Sequence, residues 1–504
     1  MFAKLYSFCR ATVIILAICI AILLLFANYC YQVEVSYDEA EFVTVFRNLQ
    51  KNSVLMILTL LFVCFFALIQ KYIWRMNPSV LFTVLSFCYV FFAAYLILNS
   101  TNVIRADASC TYTCALQVKN GDYSMFQPKE YMNIYPHQIG LMLFDLLIVT
   151  ISENPSFLFF VNLFLVLGIN FFTWQTSKLL WEDTKIHLLT ILLSFMFLPQ
   201  LFFIMFAYGQ IPGLFFLSVS IYHAIRYTRS YRISSLLWLI VSLSASVLVR
   251  RNYLIGACAI CIYLLMEFLK KRNYRLIVTV AALVVSLLLS GKAVISFFET
   301  KAETDLQRGC PTVLWVAMGT DVDNRVRCSG WYDNSSFQIY MKADADPEAA
   351  KEQGWEKLRQ NMEKAWNRPA DTFRFLKEKI ASQWCDPLYQ SIWSGPMLSG
   401  VQQTYTAVLQ SLYSGGTVEN LLGMYCKGLS FLLWGSYAAY LLTSGKKENG
   451  WEIAALFLMG GFIFHIFWEG KSQYIYPYVF CLIPFCARAL ASGLCKGFRR
   501  RVLD

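Results

Sequence analysis

An all-α polytopic membrane protein is the fold class this sequence predicts, and three observations predict it. Apolar runs of 16 or more residues recur along most of the chain, near the ~20 residues a helix needs to cross a bilayer. Charged residues gather in the short breaks between those runs. Only 15% of the 504 residues are charged, while 57% are hydrophobic and 16% aromatic; a soluble protein of this size carries roughly a quarter charged residues.

The runs fall at about 11–29, 54–70, 79–98, 138–152, 155–175, 187–206, 211–226, 234–249, 254–268, 275–292, 420–442, 451–468 and 474–492. The first follows Lys4 and Arg10 as a signal peptide would, but no small-residue cleavage site comes after it, so a retained anchor is expected. The breaks are basic: Lys71 and Arg75; Arg226, Arg229 and Arg232; Lys270, Lys271, Arg272 and Arg275; Lys446 and Lys447; Lys496, Arg499, Arg500 and Arg501. Short basic loops mark the cytoplasmic side, which places both termini in the cytoplasm and the segment 294–400 outside. The net charge of +11 therefore reports topology, and nucleic acid is not expected as a partner. Two cytoplasmic ends require an even number of crossings, whereas thirteen runs are counted. One early run is expected to be a half-helix or interfacial segment, and the first suspect is 138–152, the shortest, which holds Asp145.

Four parts follow from this pattern: N-terminal transmembrane helices over 1–100, a transmembrane core with an external loop over 101–293, an extracytoplasmic segment over 294–400, and C-terminal transmembrane helices over 401–504. Within the third, 344–382 reads as helix from Leu358, Met362, Trp366, Phe373, Leu376 and Ile380 at helical spacing, divided by Pro369. Most of the 16 cysteines lie in apolar runs, where they act as small hydrophobes. Cys110, Cys114, Cys310 and Cys328 lie in polar segments, and two disulfides of unread pairing are open to them.

Four polar patches stand beside the expected membrane surface. The first is Arg105-Ala-Asp107, continued by Asn120-Gly-Asp-Tyr123 and by the stretch from Tyr131 through Tyr135, His137 and Gln138 to Gly140. The second is Phe206-Ala-Tyr208-Gly-Gln210-Ile-Pro-Gly213, and the third Arg250-Arg251-Asn-Tyr253, a basic pair on the outer side. The fourth runs from His465 through Glu469 and Lys471 to Tyr474. Together they hold what glycosyl transfer from a lipid phosphate requires: a carboxylate to take the acceptor proton, and cations for a phosphate leaving group that departs without a proton. Arginine suits bidentate phosphate binding, and lysine serves as a point charge. Each residue also has a plainer reading. Asp107 could be a solvated loop residue, His137 a structural histidine, Arg250 and Arg251 side chains reaching to lipid headgroups, and Glu469 with Lys471 an interfacial ion pair.

These segments, in this order, resemble the bacterial protein O-mannosyltransferase and aminoarabinose-transferase class of GT-C glycosyltransferases (glycosyltransferase family 39-like), in its Gram-positive branch. The resemblance covers about 100–490 and rests on RADASCTYTCALQVKNGDYSMF, YMNIYPHQIGLMLFDLL, FAYGQIPGLFF, TVLWVAMG with SGWYDNSSF, FLKEKIASQW and FHIFWEGKSQYIYPYV. It implies a GT-C-like bundle of about 12–13 helices with one mostly helical external domain. It further implies a polyprenyl-phosphate sugar donor held in the membrane lipid, an extracytoplasmic acceptor (cell-envelope polymer, lipid or protein), and a catalytic aspartate that maps onto Asp107. Arg250, Arg251 and Lys471 are the candidates for donor phosphate, and Tyr135, His137, Gln138, Tyr208, Gln210 and Glu469 for substrate. In that class the catalytic loop follows the first span, and the loop there holds Ser36-Tyr-Asp38-Glu39-Ala-Glu41. Asp38 or Glu39 is therefore the alternative base, and an extra N-terminal helical hairpin would account for the offset of Asp107. No cofactor is implied; a divalent cation could sit among the acidic loops, although no metal-ligand spacing stands out. The competing function is a polytopic transporter or lipid flippase, for which Asp145 and Glu267 would be the intramembrane charges.

Overall fold

The structure, a computed structural model, describes residues 1–36, 41–306, 309–396 and 403–503. It is 77% helical, with 22 α-helices and almost no strand. The first helix, α1 (Phe2–Cys30), runs directly into an antiparallel hairpin of β1 (Tyr31–Val35) and β2 (Val43–Arg47), with Tyr31 opposite Arg47 and Val35 opposite Val43. Next come α2 (Leu49–Ile73) and α3 (Pro78–Leu98). Each starts on an asparagine cap: Asn48 accepts from the Lys51 amide and Asn77 from the Ser79 amide.

Three helices build the first polar patch: α4 (Ala106–Lys119), α5 (Tyr131–Ile134) and α6 (Ile139–Ile151). The bundle continues with α7 (Pro155–Leu180), α8 (Thr184–Met196), α9 (Pro199–Phe202), α10 (Gln210–Ser230), α11 (Ile233–Val249), α12 (Leu254–Lys271) and α13 (Arg275–Ala302). A more polar stretch holds α14 (Val313–Thr320), α15 (Ser335–Lys342), α16 (Pro347–Asn367) and α17 (Pro369–Trp384). The chain ends with α18 (Ala407–Tyr413), α19 (Thr417–Tyr440), α20 (Glu452–Phe467), α21 (Tyr476–Phe480) and α22 (Ile483–Leu503).

Among the described residues, six helices are long and apolar enough to cross a membrane, or up to nine if each of three bent pairs forms one span. That is fewer than the thirteen runs counted in the sequence, and the reason is geometric. At 1.5 Å per residue a helix needs about 20 residues for a ~30 Å hydrocarbon layer; α6 has 13, α20 has 16 and α11 has 17. Proline and turn residues also break what reads as continuous: the chain bends by 100° before Pro136 and by 50° before Pro199. The suspect run 138–152 is thus the short arm α6 of a sharply bent pair. At the other extreme, α13 continues to Ala302, where the apolar run stops at 292.

Small residues set the packing, as expected where apolar side chains gain little by leaving lipid for one another. Ala17, Ala21 and Leu24 are fully buried on α1, which packs against α12, α19 and α20. Gly140 lets α6 lie directly on α11: a Cβ there would stand 2.0 Å from the Leu248 carbonyl oxygen. By contrast α2 and α13 sit at the periphery with large apolar side chains facing outward, among them Leu61 and Leu288.

The expected helix over 344–382 forms as α16 and α17, with Pro369 opening the second; Asp346 caps the first by accepting from the Glu348 amide at 3.0 Å. The two disulfides do not form. Cys110, Cys114, Cys310 and Cys328 are all free thiols. Cys110 and Cys114 are one turn apart on α4, where Cβ atoms stand ~5–6 Å apart, beyond the ~3.5–4.5 Å a disulfide spans. Cys310 and Cys328 belong to separate clusters, one around Leu314 and Tyr340 and the other around Val43 and Trp331.

Candidate functional site

The site assembles where helix ends and loops meet. Asp107 enters at the first turn of α4. Opposite it, the Phe206–Gly209 loop turns into α10 through Gly209, whose φ of 78° suits glycine. This turn aims Tyr208 at Asp107: its hydroxyl donates to Asp107 Oδ2 at 2.9 Å and accepts from Gln138 Nε2 at 2.6 Å. Arg250, at the C-cap of α11, donates to the Tyr208 carbonyl, and its guanidinium lies 4.5 Å from the Tyr208 ring centre and 5.4 Å from that of Tyr474. Gln210 stands 2.7 Å from Gln473 Oε1, and its carbonyl accepts from the Tyr253 hydroxyl at 2.7 Å.

The fourth patch is fixed by its glycine. The Gly470 amide donates to the Gly330 carbonyl at 2.8 Å, and a Cβ at 470 would meet Trp331 at 2.8 Å. That pairing holds Glu469 and Lys471 beside the hairpin. Lys471 Nζ lies 3.2 Å from Glu41 and 3.4 Å from Glu469, while Glu41 also pairs with Arg327 at 3.3 Å. Both glutamates are buried, at 3% and 4% exposure, so their charges are screened by protein rather than by water.

Electrostatics ties the patches together. Burial alone would lower the Lys471 pKa, but Glu41 and then Glu469, Tyr474 and Asp107 outweigh it and hold the ammonium well above the usual lysine value. Burial pushes the Glu469 carboxyl up; Lys471 opposes this, while Glu41 and Asp107 add to it. Lys471 thus feels three carboxylates, with Arg327 sharing the charge of Glu41. Burial, Glu469 and Asp107 likewise push the Tyr332 hydroxyl up to about 12. The Asp107 charge also acts on Tyr131, Tyr135 and His137, and the Arg251 charge on His137.

Aromatic rings wall the space above these charges. Trp315 stacks on Trp468 at 6.0 Å with planes 5° apart, and Tyr135 and His137 meet Trp315 edge-on at 6.0 and 6.2 Å. Among the described residues, no group of three or more His, Cys, Asp or Glu is placed to hold a metal.

The structure therefore brings Asp107, Tyr135, His137, Gln138, Tyr208, Gln210, Arg250, Glu469 and Lys471 into one neighbourhood. Arg251 stands at its edge, exposed to solvent. Asp38 and Glu39 lie outside the described residues. Glu41, three positions past Asp38, was not singled out, although it belongs to the same acidic loop. Tyr332, Trp315 and Trp468 were also missed as a group, since lone aromatics in a chain with 16% of them carry no signal.

Fold and site define a class: an all-α polytopic membrane protein whose charged side chains converge where helix ends meet. No protein-family profile and no curated protein matches the chain.

Proposed function

We propose that this protein is a membrane glycosyltransferase that moves a sugar from a polyprenyl-phosphate donor to an acceptor on the extracytoplasmic face. Asp107 acts as general base. As the acceptor oxygen attacks the anomeric carbon, its proton passes to Asp107, and the bond from that carbon to the phosphate oxygen breaks with its electron pair leaving on the lipid phosphate. Attack opposite the leaving group inverts the anomeric centre. Arg250 and Lys471 receive the phosphate charge, Arg250 through its planar fork and Lys471 as a point charge.

Tyr208 is the observation that carries this reading. Its hydroxyl holds the Asp107 carboxylate while its carbonyl and ring hold Arg250. Base and cation are thus set on one residue with a defined separation, as displacement at a sugar carbon requires. The aromatic walls and the peripheral apolar helices support a donor whose lipid stays in the bilayer.

The test is transfer from a panel of radiolabelled prenyl-phosphate sugars by membranes carrying the wild-type or Asp107→Asn chain. Loss of a positioned base lowers the rate by about 10²–10⁴-fold, with the variant still present in the membrane. Full activity in Asp107→Asn would remove this residue from the mechanism.

One observation favours the transporter or flippase reading. Asp145 is 1% exposed on α6, with the Thr111 hydroxyl beside it and, among the described residues, no ion-pair partner; unpaired intramembrane acids often mark ion paths. Solute uptake into proteoliposomes that survives Asp107→Asn but not Asp145→Asn would establish that alternative.

A further inference from the structure

A second cavity lies outside the Asp107 neighbourhood. It has a volume of about 430 Å³ and is bounded by the hairpin, the loop after α17, and the outer ends of α2 and α19. Its shape follows from how those two helices pack. At Gly428 they touch, since a Cβ there would stand 2.9 Å from Thr59 Oγ1. Five residues nearer the start of α19, on a different face of the helix, a Cβ at Gly423 would meet only Leu388 Cδ1, at 4.0 Å. The cavity is the wedge that Gly423 borders, beside the contact at Gly428.

Its lining changes character with position. Leu55, Gly423 and Met424 form the helix side, whereas Lys51 and Asn420 stand exposed on the rim. At the inner end Gln390 is 1% exposed, and among the described residues its Nε2 has no hydrogen-bond partner, although its Oε1 accepts from the Gln473 amide. A buried amide donor without an acceptor is destabilising unless something supplies one. Lys427, 3% exposed, lines the same wall with its ammonium already held by Asn28 and the carbonyls of Tyr31 and Cys385, and Glu34, Asp386 and Glu419 also line the cavity. Outside the wedge, α2 presents Leu58, Leu61 and Phe62 to the surroundings, each about half exposed.

We propose that this cavity is a ligand site for the oxygen-rich headgroup of a bilayer lipid, whose tail passes outward along α2 and α19. The orphaned Gln390 amide requires an acceptor oxygen, the rim offers charge and amide groups, and the open side faces an apolar helix surface. A water-soluble ligand would match the polar end but not that opening. The volume suits a headgroup and excludes a folded partner. This site is separate from the glycosyl-transfer reading and does not depend on it.

The test uses the full chain in lipid nanodiscs containing phosphatidylglycerol with a diazirine on the acyl carbon next to the glycerol, with cross-links mapped by peptide mass spectrometry. The wild type is expected to be labelled at Leu55 and Met424. Gly423→Phe, which fills the wedge, loses that labelling; Gly423→Leu loses part of it. Gly435→Phe retains it, because position 435 on the same helix faces open space. Asp107→Asn also retains it, so failed lipid binding and failed catalysis are told apart. Equal labelling of Leu55 and Met424 in Gly423→Phe overturns the proposal. So does displacement of the label by excess soluble glycerol 3-phosphate, which would assign the cavity to a water-soluble molecule.

Discussion

Lys379 and Lys471 approach the same loop from two sides, and the fold treats them in opposite ways. Lys379 is fully buried, and its ammonium donates to the carbonyls of Gly319, Ile466 and Trp468 at 2.5, 3.0 and 2.7 Å. Lys427 is held similarly, by Asn28 Oδ1 and the carbonyls of Tyr31 and Cys385. Neither makes an ion pair among the described residues. Lys471, by contrast, is held by two carboxylates and keeps one side toward Tyr332. A cation whose three N–H groups are spent on backbone dipoles is a pin: it joins chain segments and has nothing left to offer. A cation balanced by carboxylates has partners that an incoming phosphate can replace. The difference separates a lysine that holds the loop from the one proposed to receive the donor phosphate.

The largest expected effect comes from removing each lysine in turn. Lys471→Met leaves Glu469 buried without its partner and Glu41 with Arg327 alone, and breaking such a buried pair costs ~3–5 kcal/mol. Lys471→Arg keeps the charge. If Lys471 receives donor phosphate, the arginine variant retains transfer and the methionine variant loses it. Lys379→Met leaves three carbonyls short of a donor, at about 1–3 kcal/mol each, partly offset because a buried charge is also removed. That variant is expected to melt earlier while its KM for donor is unchanged. A raised KM at normal stability in Lys379→Met would erase the distinction.

A smaller effect is expected at the carboxylates. Glu41 balances both Lys471 and Arg327, so Glu41→Gln should lower donor affinity and stability together. Glu469→Gln relieves a carboxyl already crowded by Glu41 and Asp107 and should cost less. Asp38→Asn and Glu39→Gln are expected to leave transfer near the wild-type rate. Loss of transfer in either, with Asp107→Asn active, would move the base to the hairpin loop. Initial rates over a range of donor concentrations check all four.

The same comparison shows what the sequence could reveal. The polar patches were legible because Asp107, Tyr208–Gln210, Arg250 and Glu469–Lys471 interrupt apolar surroundings where an uncommitted residue would be aliphatic. Their convergence was not, since it depends on Gly209, Gly140 and Gly470 allowing close backbone approach between distant segments. The hairpin was overlooked although Tyr31 to Val35 alternates polar and apolar residues, a period-2 signal too short to stand against the anchor before it. The bends at Pro136 and Pro199 were not legible, because an apolar run does not show where its helix breaks. Lys427 had a readable signal, a lone charge inside the run 420–442. Lys379 had none: on an amphipathic polar segment a buried lysine and a solvated one look alike.

The smallest effect, and the finest test of the comparison, is in pH. Burial pushes the Lys379 ammonium down to about 7 from its ordinary value of 10.5, with the Glu469 charge opposing. Between those two values the folded chain holds fewer protons than the unfolded one. Stability therefore rises with pH across that window, and below about pH 7 both states are protonated and Lys379 contributes no slope. Melting temperatures in detergent at steps from pH 6 to 9 should climb in the wild type above pH 7 relative to Lys379→Met, in which that increment is absent. Parallel curves for the two chains would have a specific meaning. Three carbonyls accept three N–H bonds, and a neutral amine has only two to give. A missing slope would show that this geometry keeps the ammonium charged against its burial, and that backbone dipoles alone hold Lys379 as firmly as carboxylates hold Lys471.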